Sequence, residues 1–220
     1  MTDHGSPNLL ALLTAQEAAR LSALCRRRHY RDGQVIHERG DPELRMGLVI
    51  KGCVNLMRLN RQGEVAFALT VHAGQNYGDT VALDRFERTH RAVAVGKTEI
   101  DFLSATALQH VLESEPGIVA ALYRVAAHRL IAAVDLIDDM RMLGIEARLA
   151  KRLLAMLDQS SQPGRINCVQ EELAQLLGVS AVTISKGLRV LEGQALIKTG
   201  YRHLLVPDVE RLKVWLETED

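Results

Sequence analysis

Cysteine is scarce in this 220-residue chain, which contains only Cys25, Cys53 and Cys168. The three are far apart and include no C-x-x-C pair, so the sequence indicates neither a zinc knuckle nor a redox dithiol. Such sparse usage is typical of a protein in a reducing cytoplasm. We expect each cysteine to serve as a small buried hydrophobic residue.

An excess of charge of either sign is also absent, because 27 lysines and arginines balance 27 aspartates and glutamates. A nucleic-acid-binding face must therefore come from local placement of cations. The polar segment 1–8 lacks the apolar region of a secretory signal. No uninterrupted apolar run approaches the roughly 18 residues of a membrane span. We expect a cytoplasmic protein with no membrane partner.

Paired metal ligands are missing as well. Metal-binding cupin enzymes cluster histidines and carboxylates on paired strands, whereas His29, His37 and His72 are scattered and no H-x-H pair occurs. We therefore expect no enzymatic activity, no catalytic residue and no metal site. What is present is a globular composition, with 47% apolar and 25% charged residues, in a chain long enough for one large or two modest domains.

Within the first half of the chain the sequence pattern changes from helical to β-rich. Leu9–Arg28 has the apolar spacing of a helix, with Thr14 as the expected cap of a turn. From His29 to about Leu103, short β-rich runs alternate with glycine turns at intervals of about ten residues. This pattern predicts a small antiparallel barrel or sandwich, in which Gly52 and Gly63 take positive φ between strands.

A long helix is predicted from Ser114 to Met140, with Pro116 in its first turn. One apolar stripe on it has near-heptad spacing, is interrupted by Arg129, and consists of Val119, Leu122, Ala126, Ala133, Ile137 and Met140. A second stripe consists of Ile118, Val125 and Leu136. Two stripes exceed what one contact face needs, so we expect one to face the barrel and the other a second copy of the helix. A single core helix is the alternative.

The C-terminal region after Gly144 has the order helix, helix, helix, hairpin. The predicted elements are helices over Ile145–Gln159, Glu171–Leu177 and from Ser180 to Leu191, and a hairpin over Leu196–Pro207. Gly178 is expected to end the second helix in the left-handed conformation, and Ser180 to cap the third. The hairpin tip is expected near Gly200-Tyr201. This order predicts a winged helix-turn-helix.

The third helix and the hairpin show small and basic side chains outside the residues needed for packing. A helix that enters a major groove by its N-terminus needs such residues, with cations to meet phosphates. The predicted DNA-binding residues are Ser180, Ala181, Val182, Thr183, Ser185, Lys186 and Arg189 on the helix and Lys198, Tyr201 and Arg202 on the wing. A generic helical hairpin with a solvated face is the alternative.

The ordered set of features resembles the CRP/FNR superfamily of bacterial transcription regulators. The resemblance is carried by "DGQVIHERGD" (Asp32–Asp41), "LVIKGCVNL" (Leu48–Leu56) and "RQGE" (Arg61–Glu64), followed by the long helix and the winged helix-turn-helix. It implies an α+β fold with an N-terminal antiparallel, jelly-roll-like β-roll, a dimerisation helix and a C-terminal DNA-binding domain. The expected domains are residues 1–113, 114–141 and 142–220.

The resemblance further implies a homodimer that places two recognition helices in successive major grooves of double-stranded DNA. Its operator would be near-palindromic, with half-sites roughly 34 Å apart. Kinship alone implies contact with RNA polymerase. We therefore predict a sequence-specific, dimeric DNA-binding transcription regulator. The competing interpretation is a small-molecule-sensing module whose C-terminal domain binds a protein partner.

The effector site implied by the resemblance lies in "YGDTVALDRFERTHRAVA", Tyr77–Ala94. The family's phosphate-binding cassette begins with Gly-Glu and ends with Arg-Ser/Thr-Ala. The candidate effector-binding residues are Gly78, Asp79, Arg88, Thr89 and Arg91. The alignment leaves open whether Arg88-Thr89 or Arg91 supplies the arginine for a small anionic effector. Solvated loop charges are the alternative for both arginines.

The resemblance also bears on the choice of effector. In cAMP-responsive members the long helix offers Thr-Ser to the adenine, whereas the aligned Ala133 and Val134 have no hydrogen-bonding side chain. We therefore expect no response to cAMP. Cys25 alone cannot hold an iron–sulfur cluster, which needs four ligands, and no histidine stands out as a haem ligand. The cofactor stays unknown, and a dimer that is active without a ligand is the other possibility.

Overall fold

The computed structural model describes residues 7–59, 65–84, 86–158 and 162–219. Of these, residues 7–130 form one compact unit and residues 131–219 form another. Clusters of buried apolar side chains lie within each unit. Helices and antiparallel strands occur in both, which confirms the predicted α+β class.

Helix α1 (Ala15–Ala23) begins after the predicted cap Thr14, and not at Leu9, because Leu10–Leu12 forms a separate 3-10 turn. The Thr14 hydroxyl accepts the backbone N–H of Glu17, and the Glu17 carboxylate accepts the backbone N–H of Thr14 at 2.8 Å. This capping box satisfies two donors that would otherwise be unpaired at the start of the helix.

The prediction that this helix extends to Arg28 is wrong, because Arg26–Tyr30 forms strand β1. The extended backbone sends Arg27 to Asp101 on the neighbouring strand, where the guanidinium donates twice to the buried carboxylate, at 2.8 and 2.9 Å. Local spacing favours the helix, but the ladder and this bidentate pair exist only in the strand.

Six strands of the first unit form one antiparallel sheet. They are β1, β2 (Val35–His37), β3 (Arg45–Leu59), β4 (Val65–His72), β5 (Asn76–Tyr77) and β6 (Arg91–Ser104). The order is β1-β6-β3-β4, with β2 also paired to β6 and β5 to β3. A short helix, α2 (Asp79–Asp84), follows β5.

The predicted positive φ of Gly52 is confirmed, at 74°. Gly52 does not join two strands, however, because it lies inside β3 where the register against β6 shifts. A Cβ there would come within 2.6 Å of the Thr98 hydroxyl, so the bulge needs glycine for space as well as for φ. Gly63 and the rest of Arg61–Glu64 lie outside the described residues.

Helices α3 (Ala105–Ser114) and α4 (Pro116–Met142) follow the sheet. The predicted long helix is present, but it begins at Pro116, not at Ser114, because Glu115 leaves the helical region with φ −124° and ψ 71°. A proline excludes helical backbone from the residue before it, so one helix cannot run through this point.

One face of α4 packs in the core of the first unit. Ile118 and Val125 are fully buried, as the second predicted stripe requires, and Ala121 lies between them. Leu136 was predicted for the same stripe but is 51% exposed. Leu122, which belongs to the first predicted stripe, packs partly against this core. The helix therefore keeps a long apolar face outside the core.

Helix α4 is also long and apolar enough to cross a membrane by length and composition, with a mean hydropathy of 1.5 in its most apolar window. Its apolar residues are nevertheless interrupted by Arg124, Arg129 and Asp135. Its inward face packs on the β-sheet unit, which lipid would have to displace. The outward face carries exposed apolar side chains, among them Leu130 and Ile137.

The second unit contains four helices and a small sheet among its described residues. They are α5 (Ile145–Asp158), β7 (Arg165–Asn167), α6 (Gln170–Leu177), α7 (Ala181–Gly193), β8 (Lys198–Gly200), β9 (His203–Leu205) and α8 (Val209–Glu219). The sheet order is β7-β9-β8. The predicted winged helix-turn-helix order is present, but the sequence analysis missed β7 and α8. The sequence signal that could have indicated α8 is the helical spacing of its apolar residues, Val209, Leu212, Trp215 and Leu216.

Gly187 lies inside α7 and is buried against α5, where an added Cβ would meet Leu149 Cδ2 at 3.4 Å. That distance is an ordinary contact, so Gly187→Ala should raise the free energy of unfolding by about 0.5–1 kcal/mol through helix propensity. Gly178→Ala is the matched control of opposite sign, because Gly178 has φ 66°. Urea titration of both variants checks this. A loss of stability in Gly187→Ala would show that α5 cannot accept the methyl group.

Candidate DNA-binding surface and effector site

The turn between α6 and α7 has the predicted chemistry. Gly178 ends α6 in the left-handed conformation, and Ser180 caps α7 by accepting the Thr183 N–H at 3.1 Å. The two helices are sealed by buried apolar residues, namely Leu173, Ala174, Ile184 and Leu188. This packing leaves the opposite side of α7 free for a partner.

The outward side of α7 carries the residues predicted to bind DNA. Ala181, Lys186 and Arg189 are exposed, and Val182 is 65% exposed. Lys186 makes no hydrogen bond or ion pair with any residue in the described ranges. An unpaired cation on an exposed helix face is available to a phosphate or a guanine edge.

Four of the predicted polar residues already have partners on α7 or at its cap. The Ser180 hydroxyl lies 2.9 Å from the Thr183 hydroxyl, and Arg189 donates to the Ser185 hydroxyl at 3.3 Å. Thr183 and Ser185 are only half-exposed. These contacts fix the shape of the helix face and reduce the number of free hydroxyl donors on it.

The wing is a hairpin of β8 and β9 that turns at Tyr201 and Arg202, as predicted. Tyr201 is 89% exposed, and Arg202 takes φ 57°, a conformation that costs a non-glycine residue roughly 1 kcal/mol. Lys198 is exposed at the start of β8. The wing therefore has one exposed cation at the start of its first strand and another in its turn.

A contact that was not predicted from the sequence attaches the wing to α7. The Glu192 carboxylate near the end of α7 accepts the backbone N–H of Thr199 at 2.8 Å and the Thr199 hydroxyl at 2.9 Å. The two surfaces predicted for DNA binding are thus joined by direct hydrogen bonds. No local sequence signal marks this pair, because the partners are on different elements.

The candidate effector residues lie around the start of α2. Gly78 has φ 72°, and a Cβ there would come within 2.2 Å of an Arg88 guanidinium nitrogen. Arg88 is 3% exposed and donates to the backbone carbonyl of Arg45 at 2.6 Å. Glycine at position 78 is therefore needed both for the backbone conformation and for the buried arginine beside it.

Asp79 is not free, because Arg129 of α4 donates to both of its carboxylate oxygens, at 3.0 and 3.1 Å. The same guanidinium donates to the backbone carbonyl of the buried Asn76. Arg129, which interrupts the apolar stripe in the sequence, therefore has a defined partner in Asp79. It ties the long helix to the beginning of the candidate site.

Thr89 and Arg91 lie differently from Arg88. The Thr89 hydroxyl is exposed and lies 2.8 Å from His90 Nδ1. Arg91 is half-exposed on β6 and its Nε lies 3.4 Å from a Glu38 carboxylate oxygen. The structure therefore brings Arg88, and not Arg91, into contact with Gly78.

Four buried polar atoms near Arg88 have no hydrogen-bond partner within the described residues: Arg88 Nε, Arg45 Nε, His37 Nε2 and the Tyr77 hydroxyl. Arg45 stacks 3.8 Å from the Phe102 ring and pairs with Glu43 at 2.7 Å. Burial lowers the pKa of Arg88 and raises that of Tyr77. Leaving buried donors unpaired costs free energy, which a hydrogen-bond acceptor placed beside them would recover.

Burial, together with the nearby charge of Arg88, lowers the pKa of His37 to about 4. The unfolded chain then binds a proton more readily than the folded one, so stability is full above the unfolded pKa and is lost as pH falls towards 4. Lowering the pH from 7.5 to 5 should therefore reduce the free energy of unfolding by about 2 kcal/mol through His37. His37→Asn should remove this part of the pH dependence in urea titrations. The exposed His110→Asn is the control, and equal slopes in both variants would contradict the prediction.

The cysteines are buried to different degrees. Burial raises the pKa of Cys25 to about 12 and that of Cys168 to about 11, so both thiols are unreactive at neutral pH. Cys168 is buried, as expected, whereas Cys25 and Cys53 are half-buried. The Cys53 sulfur lies 3.4 Å from His72 Nδ1 on the paired strand.

Comparison with known proteins agrees with this architecture. Residues 27–115 match the family model "Cyclic nucleotide-binding domain", and residues 147–215 match "Crp-like helix-turn-helix domain". A CooA mutant from Carboxydothermus hydrogenoformans has the same fold, with a TM-score of 0.76 at 19% identity over 96% of this chain and 97% of that one.

Two relatives match over most of their length. The chain is 30% identical over 196 residues to the cyclic AMP receptor protein of Thermus thermophilus, covering 89% of this chain and 90% of the relative. It is 27% identical over 186 residues to a CRP-like cAMP-activated global transcriptional regulator of Mycobacterium tuberculosis, covering 82% and 83%. With a cyclic-nucleotide-binding β-roll and a Crp-like helix-turn-helix both present, the chain belongs to the CRP/FNR superfamily of DNA-binding transcription regulators.

Proposed function

We propose that this regulator binds a near-palindromic operator as a homodimer. The observation that carries the proposal is the exposed face of α7, in which unpaired Lys186 and exposed Arg189 flank small residues at the helix tip. The wing adds Lys198 and Arg202 on an element bonded to the same helix through Glu192. Because the net charge of the chain is zero, the positive charge that meets DNA comes from these local cations.

The outward face of α4 supports the dimer. Its exposed apolar and small residues follow an uninterrupted heptad pattern of Tyr123, Ala126, Leu130, Ala133, Ile137 and Met140. Tyr123 and Leu130 were not in the predicted stripe, and their exposures are 74% and 66%. A continuous apolar seam of this period is what two parallel helices pack against each other.

A small anion bound at Gly78 and Arg88 is the effector that the buried donors favour. We propose that cAMP is not this effector, although the curated relatives are cAMP proteins by name. The reason is that Ala133 and Val134 offer the adenine no hydrogen bond. Occupancy would act through Asp79 and Arg129, which connect the site to α4.

We also propose a division of labour along the chain. Residues 1–113 are proposed as the sensor domain, 114–141 as the dimerisation helix and 142–220 as the DNA-binding domain. We place the protein in the cytoplasm, without enzymatic activity, with double-stranded DNA and a second copy of the chain as partners. Contact with RNA polymerase is proposed from family membership.

Selection of bound sequences from a random duplex pool tests this function, with and without cyclic nucleotides. We expect enrichment of a near-palindrome with half-sites about 34 Å apart. Calorimetric titration with cAMP should give no heat. A pool without enrichment would refute the DNA-binding assignment. An operator bound only in the presence of cAMP would refute the proposal about the effector and leave the rest intact.

A further inference from the structure

The first turn of the recognition helix α7 presents methyl groups where a base-reading helix usually presents polar ones. Residues 180–185 contain no carboxylate, amide or guanidinium group. Ala181 is exposed, and the β-branched Val182 is 65% exposed. Val182 lies one helical turn before Lys186 and therefore on the same face. This face combines an apolar tip with a cation behind it.

The hydroxyls of this turn are already engaged. The Ser180 hydroxyl accepts the Thr183 N–H at 3.1 Å and lies 2.9 Å from the Thr183 hydroxyl. The Ser185 hydroxyl accepts from Arg189 at 3.3 Å. The side chains of Ala181 and Val182, both exposed, add a purely apolar surface to the tip beside these hydroxyls.

A methyl group has one matching partner in the major groove, the C5-methyl of thymine. Against a G·C pair, Val182 would cover the guanine acceptors or the cytosine donor without replacing the lost water, which is unfavourable. We infer that Val182 reads the methyl group of one thymine in each half-site of the operator. This inference rests on the proposed DNA-binding function and specifies the operator chemistry.

Thymine-to-deoxyuridine substitution in the selected operator tests the inference, because it removes only the methyl group. Burial of one methyl group corresponds to about fourfold in affinity, so replacing the read thymine in both half-sites should weaken wild-type binding about 15-fold. Val182→Ala should bind the thymine operator more weakly and lose most of the uracil penalty. Because Val182 is mostly exposed, this variant should fold normally, which circular dichroism checks.

Val190→Ala is the matched control, a second exposed valine near the other end of the same helix, 43% exposed. It should keep both the affinity and the uracil penalty. Wild-type binding that is insensitive to uracil at every thymine overturns the inference, as does a full penalty in Val182→Ala. Either result leaves a selected operator in place, so the proposed function survives. A pool that yields no operator overturns both.

Discussion

Replacement of Lys186 by alanine is expected to weaken operator binding roughly 60-fold at 0.1 M salt. The dimer loses two cations, and each phosphate contact releases about 0.9 counterion on binding. The slope of log affinity against log salt should therefore fall in magnitude by about 2. Arg202→Ala should give a similar result from the wing. Fluorescence anisotropy titrations at several salt concentrations measure both quantities.

Lys97→Ala is the control for the loss of a lysine charge, since Lys97 is exposed in the sensor unit. It should leave the affinity and the salt slope unchanged. The two test variants should also weaken binding to random duplex, because phosphate contacts do not depend on sequence. Unchanged slopes in both Lys186→Ala and Arg202→Ala would show that another surface meets the DNA.

Leu130→Glu is expected to convert the protein to a monomer and to lower operator affinity at least about 100-fold. Leu130 lies in the middle of the exposed heptad seam and is 66% exposed in the single chain. In the proposed dimer the substitution would bury two like charges without partners, which costs several kcal/mol. The monomer would then bind half-sites singly. Light scattering coupled to size-exclusion chromatography measures the mass.

His128→Glu adds the same carboxylate on the opposite side of α4, where the side chain is exposed and outside the seam. It should remain a dimer with unchanged operator affinity. A dimeric Leu130→Glu would mean that another surface joins the two chains. A monomeric wild type would refute the dimer itself.

Much of the recognition domain was predictable because its signals are local. The left-handed turn at Gly178 and the cap at Ser180 depend on a few neighbouring residues, and the structure confirms both. The exposed side of α7 was also predictable, because it consists of the residues that are not needed to pack the helix against its neighbours. The Glu192–Thr199 contact was missed because it joins two different elements, and strand β7 was missed because its partner β9 lies far along the chain.

The sensor unit was predictable in class but not in detail. Glycine turns and β-rich runs predict an antiparallel sheet, yet the apolar spacing before them extended the predicted α1 over Arg26–Arg28, where pairing with β6 overrides local helix spacing. The choice between Arg88 and Arg91 also stayed open. The packing of Arg88 on Gly78 distinguishes them, and no spacing rule encodes that contact.

The sequence by itself determined the order of the main elements, the caps at Thr14 and Ser180, the turn at Gly178, and the family. These depend on backbone preferences and apolar periodicity within a few residues of each position. Only the tertiary structure decided which face of α4 is buried, that Arg129 holds Asp79, and that Arg88 is buried among donors without partners. Burial and pairing of charges are set by groups brought together from distant parts of the chain, and their energies exist only after that packing.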